Sequence, residues 1–228
     1  MQIQKPILLI LLFVSTLSFG QNFETDKLWR TKGVYDSVGN FMERAKVQIF
    51  LYSSGTDQLQ RLRTQDKINM ETGETKIFIY KDTLNLKALN ENTFKLNDDE
   101  TITIHSKDSM TIQFNGYILP FVKLDVKSNQ ADKNKFNANF INVRLDETVD
   151  NKTEYQFTFL DNGLKKTKRV DADSEWESEY KLINFNGFLI LQGITSAPKL
   201  ITKIGKTKVN FLEIDYRFKT KKGMLTKG

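Results

Sequence analysis

Apolar and polar residues alternate with a period of two through most of this chain, most clearly from Glu175 to Leu191. There Trp176, Ser178, Tyr180 and Leu182 interleave with Glu175, Glu177, Glu179 and Lys181. That spacing puts the aromatic and aliphatic side chains on one strand face and the charges on the other. Asn186-Gly187 follows, a pair that tolerates the positive φ of a tight hairpin turn, and Phe188 to Leu191 reads as the returning strand. Asn115-Gly116 and Asp161-Asn162-Gly163 predict hairpins of the same kind.

Other stretches repeat the pattern. Leu28 to Tyr35 opens on Trp29, and Ala45 to Ser53 carries Val47, Ile49 and Leu51 on one face with Phe50 and Tyr52 on the other. Lys76 to Lys81, Thr101 to His105, Met110 to Phe114, Glu154 to Leu160 and Lys199 to Ile204 also alternate. Pro120 lacks an N–H donor, so its strand, Tyr117 to Leu124, is expected at an edge or a bulge. In Lys208 to Phe218 the apolar parity switches after Phe211, which predicts a bulge there. Helical periodicity is absent after residue 20. The fold class is therefore all-β, an antiparallel meander of about 14 to 16 short strands forming barrel- or sandwich-like modules.

Lys127 to Asn137 is the longest stretch without apolar periodicity and reads as a linker. The predicted organisation is a β module over 21–127, a linker over 128–138, a second β module over 139–218 and a basic tail over 219–228. Ile112 to Leu119 (IQFNGYIL) matches Ile183 to Ile190 (INFNGFLI). The match fits either an internal duplication or two hairpins converging on the preferred Asn-Gly turn.

The first twenty residues stand apart. Lys5, the apolar run Ile7 to Val14, and small residues at Ser18 and Gly20 form a secretory signal, with cleavage expected after Gly20. The run is shorter than the roughly 20 apolar residues that cross a bilayer. No later segment reads as transmembrane, so the expected location is secreted or periplasmic. The chain has no cysteine, which excludes disulfides, thiolate metal sites and cysteine nucleophiles. Its net charge is +6, with clusters at Lys165, Lys166, Lys168 and Arg169 and at Lys219, Lys221 and Lys222. These read as solvated strand and tail residues that discourage edge pairing, and export disfavours nucleic acid as a partner.

A strand with Trp29 close to Gly33, followed by a meander of hairpins, resembles the lipocalin-like (calycin) β-barrels. So does the second half, with Phe157 to Gly163 (FTFLDNG) and then the strand of Trp176. The resemblance implies a barrel whose interior takes a small apolar ligand.

Little in the chain suggests catalysis. His105 is the only histidine, so a histidine triad or multi-histidine metal site within one chain is excluded. No nucleophile elbow, phosphate loop or dinucleotide fingerprint occurs. Glu175, Glu177 and Glu179 project from one face about 7 Å apart, as a solvated outer surface does. Asp171, Asp173 and Glu175 lack the glycine and distal glutamate of a calcium loop. No metal or cofactor is implied. The candidate ligand-binding residues are Trp29, Tyr52, Tyr80, Trp176 and Tyr180, whose apolar bodies and polar tips suit a pocket wall. The reading is an exported, non-enzymatic barrel protein that binds a hydrophobic or amphipathic small molecule. Its competitor is an envelope interaction module that holds a partner without a ligand cavity.

Overall fold

The computed structural model describes residues 24–42, 49–55, 57–97, 99–127, 132–194, 196–215 and 217–228. The expected signal segment over 1–20 and parts of the predicted linker lie outside them. The described chain is almost all β, in two antiparallel sheets.

The first sheet holds β1 (Lys27–Thr31), β2 (Ile49–Ser53), β3 (Gln58–Ile68), β4 (Thr75–Asn85), β5 (Lys87–Ala88), β6 (Thr93–Lys95), β7 (Glu100–Ser106), β8 (Ser109–Phe114) and β9 (Tyr117–Lys123). They pair in the order β4-β3-β2-β1-β9-β8-β7-β6-β5. The two edge strands, β4 and β5, are consecutive lengths of one chain run interrupted only at Leu86, whose N–H bonds the Asp57 carbonyl at 2.7 Å. One run thus serves both edges, and the sheet curls into an open barrel. Trp29, Leu51, Leu59, Ile102, Met110 and Phe121 fill its interior.

The second sheet is a closed barrel of β10 (Arg144–Val149), β11 (Lys152–Phe159), β12 (Leu164–Arg169), β13 (Glu175–Phe185), β14 (Phe188–Gly193), β15 (Lys199–Ile204), β16 (Lys208–Ile214) and β17 (Thr220–Lys227). In both sheets the chain meanders between neighbours, with one pairing of distant strands: β1 with β9 in the first, whose ring stays open between β4 and β5, and β10 with β17, which closes the second. The longest staves have 11 residues each: β3 and β4 in the first sheet, β13 in the second. β13 pairs with β12 through Glu175–Glu179 and with β14 through Tyr180–Phe185.

No ladder joins the two sheets among the described residues. They meet through side chains. Leu28, Phe50, Leu62 and Leu124 pack against Ile183, Phe185, Phe188, Ile190, Leu200 and Ile214. This explains why Phe50 and Tyr52 oppose Ile49 and Leu51 on one strand: both faces of β2 are covered.

Four expectations need correction. The non-periodic stretch contains a helix, α1 (Lys133–Phe140), capped by Asp132, whose side chain accepts the Asn134 N–H at 2.7 Å. Its only large apolar residues, Phe136 and Phe140, are one turn apart and fully buried against the second barrel. Two apolar positions are too few to show a period. The stretch expected as a basic tail holds β17, paired on both sides. Its inward positions read Lys221, Gly223, Leu225 and Lys227, which erases the alternation.

The parity switch after Phe211 is not a bulge in that strand. Val209 and Phe211 face the barrel interior, while Leu212 and Ile214 face the other module. The register shift lies opposite, between Ile201 and Lys203 of β15. Pro120 sits in a strand paired on both sides. The β1–β9 ladder runs only to Phe121, after which Lys32 donates to the Pro120 carbonyl; the missing proline N–H interrupts the pairing, which resumes between Tyr35 and Ile118.

Two of the three Asn-Gly turns are as predicted: φ is 46° and 77° at Asn115 and Gly116, and 52° and 79° at Asn186 and Gly187, whereas in Asp161-Asn162-Gly163 only Gly163 has a positive φ, 83°. The matching octapeptides occupy different places. One joins the last two staves of the first barrel (β8, β9), the other the fourth and fifth of the second (β13, β14). That placement favours convergence on one good turn over duplication in register.

Candidate functional site

The interiors of the two barrels differ. In the closed barrel Phe157, Phe159, Tyr180, Leu191 and Phe211 pack to the centre, and α1 adds Phe136 and Phe140 at one end. The space left beside Lys165 and Lys199 is about 10 Å³, at most a single water. No guest fits there.

That interior nevertheless holds charge. Lys199 reaches Glu147 Oε1 at 3.1 Å and Glu213 Oε2 at 2.9 Å. Glu147 Oε1 makes no aligned hydrogen bond, so its share of the pairing is mainly Coulombic. Burial alone would lower the Lys199 pKa, but the two carboxylates outweigh it and raise it. Lys165 has no such partner. Its ammonium sits 4.6 Å from the centre of the Phe157 ring and 3.3 Å from Ser196 Oγ. Burial, with the charge of Lys199 added, pushes it down to about 8.

The open barrel is less full. A pocket of about 330 Å³ occupies one end, walled by Ile49, Ile112, Leu119 and Phe121, with Phe114 and Tyr117 exposed at its rim. Arg61, Arg63 and Glu100 also line it. All project inward because β3, β7, β8 and β9 alternate strictly and their apolar neighbours fix the facing. Arg61 bonds Glu100 Oε1 through Nη1 at 2.8 Å and Asp82 Oδ2 through Nε at 2.8 Å. Asn97 holds the other Glu100 oxygen at 2.7 Å. Burial would lower the Arg61 pKa, and the two carboxylates more than offset that, leaving it raised. The Arg61–Glu100 bond crosses from β3 to β7, strands far apart in the sheet order, and so braces the curl. A wider groove of about 810 Å³ lies where the chain passes between the barrels, beside Asp125, Val126 and Lys127. Apart from that connecting segment its lining comes from the second barrel, including Thr148, Phe188, Leu200, Leu212 and Met224.

The five residues expected to bind ligand do not converge. Trp29 is buried in the first core with its indole N–H unpartnered. Tyr52 faces the second module, edge-on to Phe185 and Phe188, and its hydroxyl donates to Asp26 at 2.7 Å. Tyr80 lies under Arg63 and Lys67, each 5.7 Å from its ring centre. Trp176 is 44% exposed and meets Tyr155 edge-on. Tyr180 is buried, and its hydroxyl donates to the Leu160 carbonyl at 3.0 Å. Only Tyr80 borders the pocket's charged wall. His105 is exposed and bonded to Thr111, while Glu175 and Glu177 share Lys166 on the outer surface.

Sequence reasoning missed Arg61, Arg63, Asp82, Glu100, Glu147, Lys165, Lys199 and Glu213. A signal existed for Lys165. The turn after Phe159 sets Lys165 directly across from it, so the lysine shares the inward face of Phe157 and Phe159. Among the described residues no cluster of three metal-ligating side chains forms, and no helix is long and apolar enough to cross a membrane. Neither a protein-family model nor a curated protein matches the chain.

Proposed function

We propose that this protein is an exported, non-enzymatic binder of a small hydrophobic or amphipathic molecule, held in the mouth of its first barrel. The observation that carries the reading is the pocket of about 330 Å³ with apolar walls and a few fixed polar groups. Ligand sites of about 300–1,000 Å³ have this composition. The exported location rests on the apolar run Ile7 to Val14 and the small residues Ser18 and Gly20. The kinship with calycin barrels remains part of the same proposal.

Native mass spectrometry of protein purified from its own host tests this. A bound small molecule is expected, and its loss from a Leu119→Trp variant, which fills the pocket, would locate it. If the folded protein carries none and takes up no uncharged lipophilic dye, the reading fails.

A second reading has one observation behind it. Beyond β2 the β3–β4 hairpin continues as a two-stranded arm with Ile68, Met70, Phe78 and Ile79 exposed. Such side chains suit an envelope partner. Replacing Met70 and Phe78 by serine should abolish recovery of any such partner from envelope extracts while leaving ligand uptake intact.

A further inference from the structure

The pocket carries more chemistry than an uncharged guest needs. Arg61 is fully engaged, with two carboxylates on its guanidinium. Arg63, two residues along the same face of β3, is not. Its Nη2 reaches Asp82 Oδ2 only at 3.4 Å, and that oxygen already takes Arg61 at 2.8 Å. The Arg63 Nε is buried and has no hydrogen-bond partner among the described residues. The Tyr80 ring beneath holds the guanidinium without using its N–H donors. Lys67 follows on the same face, over Tyr80 and Phe78. Among the described residues along this wall, Arg61, Arg63 and Lys67 face Asp82 and Glu100, so one positive charge is left over.

A buried donor on a charged group is costly to leave unpaired, and a planar guanidinium matches carboxylate and phosphate geometry. Apolar walls begin beside it, since Arg63 sits across from Ile49 on β2. We propose that Arg63 anchors the head group of the ligand, and that the ligand is a single-chain amphiphile with an anionic head. This deepens the small-molecule reading above and rests on it. The chain lies along Ile49, Ile112 and Phe121, and the head, a carboxylate or a phosphate, meets the accessible edge of the guanidinium, on a side chain that is 42% exposed. Arg61 and Glu100 stay paired and form the fixed polar wall.

The test compares laurate, lauryl phosphate and lauryl alcohol by calorimetry on the intact protein. At least one anion is expected to bind about ten-fold or more tightly than the alcohol, the worth of a charge-assisted hydrogen bond. Whichever anion binds better distinguishes a carboxylate head from a phosphate head. Arg63→Gln should erase that preference, and Arg63→Lys should restore part of it. The comparison on the unaltered protein needs no variant, and circular dichroism checks that each variant folds. If the alcohol binds as well as both anions, or the preference survives Arg63→Gln, the anchor is wrong although the pocket stands. If none of the three binds, the small-molecule reading falls and the anchor with it.

Discussion

The backbone N–H of Ile77 donates to the Glu179 carboxylate at 2.7 Å and ties the edge strand of one barrel to a strand of the other. Burial would raise the Glu179 pKa, but Lys181 at 2.6 Å and the Ile77 N–H outweigh it and hold the carboxyl below its ordinary value. Lys81 adds a bond to the Asn184 carbonyl, and Asn186 one to Gln60. The seam is therefore apolar at its centre and hydrogen-bonded at its margin.

Glu179→Ala leaves the Ile77 N–H without its acceptor and should cost about 1–3 kcal/mol. Glu179→Gln keeps an acceptor and should cost less. Urea midpoints at pH 7 decide, and equal losses would show that charge rather than the bond matters. Because the folded pKa is depressed, this contribution is present above the unfolded carboxylate pKa and lost as pH falls through the folded one.

Lys165 gives a rise with pH as well, in a window several units higher and because its charged form is disfavoured by burial. Its pKa is about 8 when folded, against 10.5 as the ordinary value, so between these the unfolded chain binds more protons. Stability from this group should rise with pH across that window. Lys165→Met should remove the rise and stabilise the protein at pH 7, by up to roughly 3 kcal/mol. Chemical denaturation from pH 7 to 10 reads both effects. A flat profile in the unaltered protein would refute the assignment.

Lys199→Met strands two buried carboxylates, Glu147 and Glu213, and should cost about 3–5 kcal/mol. Replacing all three by apolar residues of similar volume should recover most of that loss. The check is the denaturation midpoint at constant slope. A triple variant as weak as the single one would mean the network shapes the barrel beyond its charge.

Gly223 lies on β17 opposite Phe211, and a Cβ there would overlap the Phe211 ring. Gly223→Ala should destabilise by about 1–3 kcal/mol. Adding Phe211→Leu should cancel part of this, seen as coupling in a double-mutant cycle.

The two sheets share no ladder, and α1 belongs to the second core. A fragment of residues 132–228 should keep its β structure and unfold cooperatively, at a lower midpoint than the whole chain. The loss would come from exposing Phe185, Phe188, Leu200 and Ile214, which the first module covers. Circular dichroism through a urea titration tests it, and a fragment without β signal would show that the second module is not independent.

The alternating strands and Asn-Gly turns were legible because one strand face carries the apolar residues and turn chemistry depends on a few adjacent residues. What escaped depends on partners distant in the chain. Arg61 and Glu100 look like ordinary surface charges until the curl brings β3 to β7. Lys165 read as one of four solvated cations, although only its neighbours Lys166 and Lys168 share the outward parity. The five aromatic residues met the chemical requirement for a pocket wall, but Trp29 and Tyr180 point into two different cores, Tyr52 into the seam and Trp176 to the surface, and only Tyr80 reaches the pocket's margin. α1 was illegible because two phenylalanines cannot establish a period.

The long-range pairing within each sheet has a consequence in time. Every other ladder joins strands that follow one another, so each can zip as soon as its hairpin exists. β10 must wait for β17, as β1 waits for β9. Closing a long loop is entropically uphill before any contact rewards it, which makes such pairings slow. A nascent second barrel is therefore an unsealed ribbon, with the edges of β10 and β16 open to any passing strand. The slow step in maturation, and the moment of greatest exposure to misassembly, is the arrival of β17.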